Sequence, residues 1–207
     1  MADIYDRRVT LLAGRGHRIF EVLAVCTANL CRSPVVEAQL RADLDRLPGA
    51  WSVGSAGVRA RIGLPVHPDS ARALAERDLA LPAGWRTRRL SAEQIARADI
   101  VLTATREHRG VVIGMVPRAA TRVFTLHQFA RLLGAAPIAH LPGDDDGHPG
   151  DVMLRSAVAA RGLGTPAHPD DDDLDDPIGR QFRAFRALAE TVAVSSTEIT
   201  SSLLIAR

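Results

Sequence analysis

The stretch Ile19-Phe20-Glu21-Val22-Leu23-Ala24-Val25, followed at once by Cys26-Thr27-Ala28-Asn29-Leu30-Cys31-Arg32-Ser33-Pro34, decides the reading of this chain. The apolar run reads as a strand buried on both faces. Five residues then separate Cys26 from Arg32, enough for the backbone to curl so that its N–H groups face a phosphate-sized anion. Pro34 suits the first turn of a helix whose positive end points at the same anion. Such a cradle also favours a thiolate, which makes Cys26 a nucleophile candidate. Arg32 adds a planar fork of donors matched to two oxygens of one anion, a fit that a lysine lacks. From 34 to 46 the apolar positions Val35, Val36, Leu40 and Leu44 predict a helix.

Outward from this segment, strand and helix alternate. Residues 51–55, 99–103 and 121–126 read as strands, and 68–77, 106–115 and 127–134 as helices. That alternation favours an α/β domain with a parallel sheet, helices on both faces and a ligand at the carboxyl ends of the strands, where Cys26 lies. The loop, with Asn29, Cys31, Arg32, Ser33 and Pro34 each in place, resembles that of the low-molecular-weight protein tyrosine phosphatases. Ser52-Val53-Gly54-Ser55-Ala56-Gly57 is similar to that family's second strand. Arg86-Thr87-Arg88-Arg89-Leu90 and Ala98-Asp99-Ile100-Val101-Leu102-Thr103 are similar to its basic loop and third strand. The resemblance covers about residues 18–193 and implies one doubly wound domain over 1–207, with four strands in the flavodoxin-like order 2-1-3-4. It also implies hydrolysis of phosphomonoesters through a phosphocysteine. In that mechanism Asn29 braces the loop, Ser33 donates to the thiolate, and Thr27, Ala28, Asn29, Leu30, Cys31 and Ser33 surround the substrate phosphate. The family's general acid is an Asp-Pro dipeptide before the last helix, which assigns the role to Asp176, ahead of Pro177, with Asp175 as the alternative. The family's paired loop cysteines imply a reversible Cys26–Cys31 disulfide that protects the nucleophile.

Composition narrows the remaining classes. The 207 residues suffice for one core. All 26 basic residues are arginine against 24 acids, a net charge of +2 with no basic block that points to nucleic acid. Two cysteines five apart make no secreted disulfide framework. Residues 1–18 lack an export-length apolar segment, and no stretch approaches a membrane span, so a cytoplasmic protein is expected. The seven histidines fall at no metal-ligand spacing, so no metal is expected, and the phosphocysteine route that the resemblance implies needs no cofactor. The Asp170–Asp173 run reads most simply as a solvated acidic loop.

Three further expectations concern the edges of the domain and its specificity. Residues 134–175 read as an insertion, with a loop from Pro137 to Gly150 and a helix from Val152 to Arg161, expected beside the pocket because it leads into the acid loop. The ends, 1–17 and 195–207, are expected to be loosely ordered, although 195–202 also fits a continuation of the last helix. The pocket mouth lacks the aromatics that the family usually places there, since Val58–Gly63 and Ile178-Gly179 contain none. Leu30 occupies the position where phosphoarginine phosphatases of the superfamily carry threonine. The resemblance places His67 in a loop near the pocket and Trp85 where many members carry a histidine that supports the loop asparagine; a structural hydrogen bond for His67 and ring burial for Trp85 are the simpler roles. The leading function is therefore a protein-tyrosine phosphatase acting on a phosphorylated protein. The alternatives are a phosphatase of a small phosphorylated metabolite, or an arsenate reductase coupled to a small thiol. The downstream cysteines of a thioredoxin relay are missing.

Overall fold

The computed structural model describes residues 18–135, 148–162 and 168–204. The apolar run forms β1 (Ile19–Cys26). Its alternate side chains serve two cores: Phe20, Val22, Ala24 and Cys26 face one, and Leu23 and Val25 face the other. Both faces are covered, which is why the strand is apolar almost throughout. After the loop come α1 (Arg32–Leu44), β2 (Ala50–Gly57), α2 (Pro68–Ala75), α3 (Ala92–Arg97) and β3 (Ile100–Thr103). These are followed by α4 (Arg106–Met115), a 3₁₀ turn, β4 (Val123–Thr125), α5 (Leu126–Ala135), α6 (Pro149–Ala159), a second 3₁₀ turn (Pro169–Asp172) and α7 (Phe182–Leu204). All strand pairs are parallel, in the order β2-β1-β3-β4. Helices α1, α2, α5, α6 and α7 contribute to the core on one face, and α3 and α4 to that on the other. The fold is the doubly wound α/β sheet expected from the alternation.

Three departures have identifiable causes. Helix α3 has no counterpart in the sequence reading, although Ser91 and Gln94 form a capping box, the Ser91 hydroxyl accepting from Gln94 N and the Gln94 amide oxygen accepting from Ser91 N. The expected loose end at 195–207 is corrected up to Leu204: α7 runs on through the polar stretch, and 205–207 lie outside the described residues. Thr197 and Thr200 bond back to the carbonyls of Ala193 and Ser196, Ser196 donates to Asp43 on α1, and Ile199 is buried in the core. The hydroxyls are thus satisfied without breaking the helix. The end at 1–17 lies outside the described residues.

The third correction concerns 134–175, of which 136–147 and 163–167 lie outside the described residues. Its helix begins earlier than expected, at Pro149, capped by His148 Nδ1, which accepts from Gly150 N. It also sits at the opposite end of the sheet from Cys26. The His148 ring stacks on Phe20 at 5.2 Å and meets Trp51 edge-on at 4.6 Å, at the amino end of β1. Phe20 and Cys26 are six positions apart on one strand, about 20 Å. Among its described residues, the return segment leads into Leu174 and Asp176 beside Arg32. At Gly150 an added Cβ would lie 2.6 Å from the Phe20 ring, so the close approach of α6 to the sheet requires glycine there.

Candidate active site

The loop between β1 and α1 is built by its own side chains. Asn29 sits at φ 56°, in the left-handed region that asparagine tolerates better than most residues, and is wholly buried. Its amide donates to Ser33 Oγ at 3.0 Å and to Ser55 Oγ at 2.8 Å, and its oxygen accepts from the backbone N–H of Arg88 at 2.8 Å. Ser33 Oγ, so engaged, lies 3.0 Å from Cys26 Sγ and 3.3 Å from the Ala56 carbonyl, which are the two acceptors for its hydrogen. Backbone bonds from Val58 N to Cys26 O and from Arg59 N to Thr27 O tie the loop to the end of β2. No side chain caps the first turn of α1.

Behind the loop stands Glu37, 1 % exposed, which the sequence reading passed over. Its carboxylate accepts from Ser55 Oγ at 2.6 Å, from Trp85 Nε1 at 3.0 Å and from Arg41 at 3.2 Å. A buried carboxylate with that many donors is compensated. Trp85 therefore reaches Asn29 indirectly, through Glu37 and Ser55. His67 plays a structural part, its Nδ1 capping α2 and its ring stacked on Phe185 at 4.7 Å.

Arg32, 6 % exposed, extends across the loop. Its Nη2 donates to Thr27 Oγ1 at 3.2 Å and to Asp176 Oδ2 at 2.5 Å, and Nη1 reaches the Leu174 carbonyl at 3.5 Å. The structure thus brings Cys26, Arg32 and Asp176 to one mouth. Asp176 Oδ1 also accepts from Ile178 N at 3.1 Å, whereas the Asp175 side chain is 90 % exposed and, among the described residues, pairs with Arg180. The acidic run divides its labour, unlike the solvated loop expected. Buried Asp172 pairs with Arg131 at 2.7 Å, and Asp173 accepts from Arg106 N at the start of α4. Leu174 is buried and its N–H bonds to Ala104 O beyond β3. These anchors deliver Asp176 to Arg32.

A second residue passed over in the sequence is His108, on α4. Its Nε2 lies 2.8 Å from Thr27 Oγ1 and its Nδ1 lies 2.7 Å from Thr105 Oγ1. Burial, and then the Arg32 charge, depress its basicity. Burial raises the Cys31 thiol to about 11, against a smaller opposing contribution from Ser70. Cys31 therefore stays protonated at neutral pH. Both cysteines are free and buried. Thr27, Ala28 and Leu30 are half-buried in the loop. Ile62 and Ile178 are exposed apolar residues in the two stretches where aromatics are missing. Among the described residues no cluster of three or more His, Cys, Asp or Glu could hold a metal ion, and no helix is long and apolar enough to cross a membrane.

Comparison with known proteins agrees with this geometry. Residues 21–138 match the family model for low molecular weight phosphotyrosine protein phosphatase. A protein-arginine-phosphatase of Bacillus subtilis is 33 % identical over 109 residues, 53 % of this chain and 71 % of that protein. The low molecular weight protein-tyrosine-phosphatase Etp of Escherichia coli K12 is 37 % identical over 105 residues, 50 % and 68 % of the two chains. The solved YwlE arginine phosphatase of Geobacillus stearothermophilus superposes with a TM-score of 0.65 at 26 % identity, over 90 % of this chain and 94 % of that one. The family-model match ends before the acid loop, whereas the structural match spans most of the chain. With loop, sheet order and family match in agreement, the chain belongs to the low molecular weight phosphotyrosine protein phosphatase family and is a cysteine-dependent phosphatase.

Proposed function

We propose that the chain dephosphorylates phosphotyrosine in proteins, with Cys26 as nucleophile, Arg32 as phosphate clamp and Asp176 as general acid and base. The observation that carries this reading is the convergence on one mouth of a buried Cys26 Sγ 3.0 Å from Ser33 Oγ and an Arg32–Asp176 pair at 2.5 Å. Substrate phosphate replaces the Asp176 carboxylate on Arg32, and Thr27, Ala28, Asn29, Leu30, Cys31 and Ser33 surround it. The Cys26 sulfur attacks phosphorus in line, the P–O ester bond breaks, and Asp176 gives its proton to the leaving oxygen. Arg32 holds the equatorial oxygens as charge spreads over them. The Asp176 carboxylate then takes a proton from water, which attacks phosphorus. The P–S bond breaks, and inorganic phosphate and the Cys26 thiolate are released. Ser33 donates to the sulfur in both half-reactions.

Preference for an aryl ester is supported by apolar Leu30 in the loop and by exposed Ile178 two residues beyond the acid. The exposed arginines in the flanking loops, Arg59, Arg61, Arg86, Arg88 and Arg89, disfavour a guanidinium leaving group by like charge. A cytoplasmic place fits two buried free thiols, which a reducing compartment preserves. The test is one preparation assayed against a phosphotyrosine peptide, a phosphoarginine peptide, a phosphoserine peptide, a sugar phosphate and arsenate. The highest kcat/KM is expected on phosphotyrosine. Faster turnover of phosphoarginine, or of the sugar phosphate, overturns the substrate assignment and leaves the chemistry standing. Arsenate reduction with glutathione in place of ester hydrolysis overturns both.

A further inference from the structure

Buried imidazoles need partners for both ring nitrogens, and His108 has them in two threonines from different parts of the chain. Thr105 is the cap of α4: its hydroxyl oxygen accepts from His108 N at 3.2 Å and lies 2.7 Å from His108 Nδ1. Thr27 belongs to the phosphate loop, 81 positions from His108 in sequence, and its Oγ1 lies 2.8 Å from His108 Nε2 while accepting from Arg32 Nη2 at 3.2 Å. A single chain of hydrogen bonds therefore runs from α4 through an imidazole and a hydroxyl to the guanidinium that meets substrate.

An apolar side chain would fill this position at less cost. His108 is 4 % exposed, close to the Arg32 cation, and faces Asp173 and Asp176 of the acid loop and Glu107 of its own helix. The neutral ring carries one donor and one acceptor. With Nδ1–H donating to Thr105, Nε2 accepts the Thr27 hydroxyl hydrogen and turns the Thr27 lone pairs toward Arg32. The Arg32 contacts to Leu174 O and Asp176 both involve the acid loop. The Thr27 contact is the one from the phosphate loop that remains when substrate displaces Asp176.

We propose that His108 is a positioning residue, which through Thr27 keeps the Arg32 guanidinium in place for the phosphoryl oxygens once the carboxylate has left. The inference rests on the phosphatase reading and concerns a residue that touches neither substrate nor phosphorus. It predicts that His108 and Thr27 act as one unit.

The test uses the full chain with H108A, H108Q, H108N, T27V and H108A/T27V. Each is assayed for kcat/KM on p-nitrophenyl phosphate and for affinity toward inorganic phosphate. H108A and T27V are each expected to lose about tenfold, the scale of one hydrogen bond to a charged group. The double variant should also lose about tenfold, because the second change removes a link already broken. A glutamine amide reaches the position of Nε2, so H108Q should recover to within about threefold of wild type. An asparagine amide stops near Nδ1, so H108N should stay as low as H108A. A merely structural role predicts the opposite pattern, with additive losses and no difference between H108Q and H108N. Either of those results, or wild-type behaviour of H108A, overturns the proposal. If H108A does not fold, the contrast of H108Q with H108N decides. If the wild type does not hydrolyse the ester, it is the phosphatase reading that fails, and the same pattern in phosphate affinity still decides the role of His108.

Discussion

Gly57, the last residue of β2, packs its backbone directly against the loop that follows β1. A Cβ at this position would lie 2.7 Å from both Asn29 N and Thr27 O and 2.9 Å from the Ala28 carbonyl carbon. All three are backbone atoms and cannot rotate away. Ordinary contact needs about 3.5 Å, so Gly57→Ala must drive loop and strand apart by roughly 0.6–0.8 Å. The strand is pinned on its other side, since Gly57 N donates to Arg88 O and Leu90 N to Gly57 O, so most of the displacement falls on the loop. A shift of about 1 Å at a reacting centre costs on the order of 10²-fold. Gly57→Ala should therefore lower kcat/KM for p-nitrophenyl phosphate by about 10- to 100-fold, with about 1–3 kcal/mol lost in urea unfolding from overpacking. Gly54→Ala, three residues earlier on the same strand, is the control. Its Cβ would meet only the far end of the Arg88 side chain, at 3.3 Å, so activity should stay within about twofold and stability should rise by up to ~1 kcal/mol. A Gly57→Ala enzyme within about threefold of wild type would refute the view that this contact sets the loop.

Asp176→Asn should depress turnover most for phenols that leave poorly and least for p-nitrophenol, while Asp175→Asn changes little; the reverse ranking across a leaving-group series moves the acid to Asp175. Stability should fall on acidification from about pH 7 to 5: burial depresses the basicity of His108 and His148, so the unfolded chain takes up protons first, and their contribution, present above about pH 6.5, is lost as pH falls. Urea midpoints that stay flat or rise over that interval contradict the neutral roles of both rings. Mild peroxide followed by dithiol should inactivate and then restore the enzyme, with a loop peptide two hydrogens lighter in between. Because the Cys31 thiol is held near 11, oxidation should start at Cys26, and Cys31→Ser should make the loss permanent; sulfinic Cys26 beside free Cys31 in the wild type rules the exchange out.

What the sequence disclosed was local, and what it hid was long-range. Cys26, Asn29, Arg32 and Ser33 lie within eight consecutive residues, and their order between an apolar strand and a Ser-Pro helix start carries the resemblance that implies a phosphate cradle. The alternation of strand and helix likewise carried the sheet, because period and length are properties of short windows. Asp176 stands apart from its five neighbouring carboxylates only through the resemblance, whose general acid precedes a proline. Asp172 and Asp173, in the same run, anchor the acid loop through Arg131 and Arg106, partners 41 and 67 positions away that no local pattern announces. His108 is equally silent: a lone histidine on a short helix gains its meaning from Thr27. The seat of α6 at the foot of the sheet is not legible in the sequence, where the helix adjoins the segment that leads to Asp176. In fact the Phe20–His148–Trp51 cluster draws the helix to the other end. Helix α3 was legible in its capping box and was missed for want of apolar periodicity in six residues.

The central claim is that phosphate passes through the sulfur of Cys26. Rapid acid quench during turnover of p-nitrophenyl phosphate, followed by mass spectrometry of the loop peptide, tests it most directly. The account predicts one phosphoryl group on Cys26, more of it in Asp176→Asn, where water activation is impaired, and none in a Cys26→Ser variant that no longer releases p-nitrophenol. An unmodified Cys26 under conditions where Asp176→Asn still shows a burst, or sustained turnover by Cys26→Ser, would contradict it.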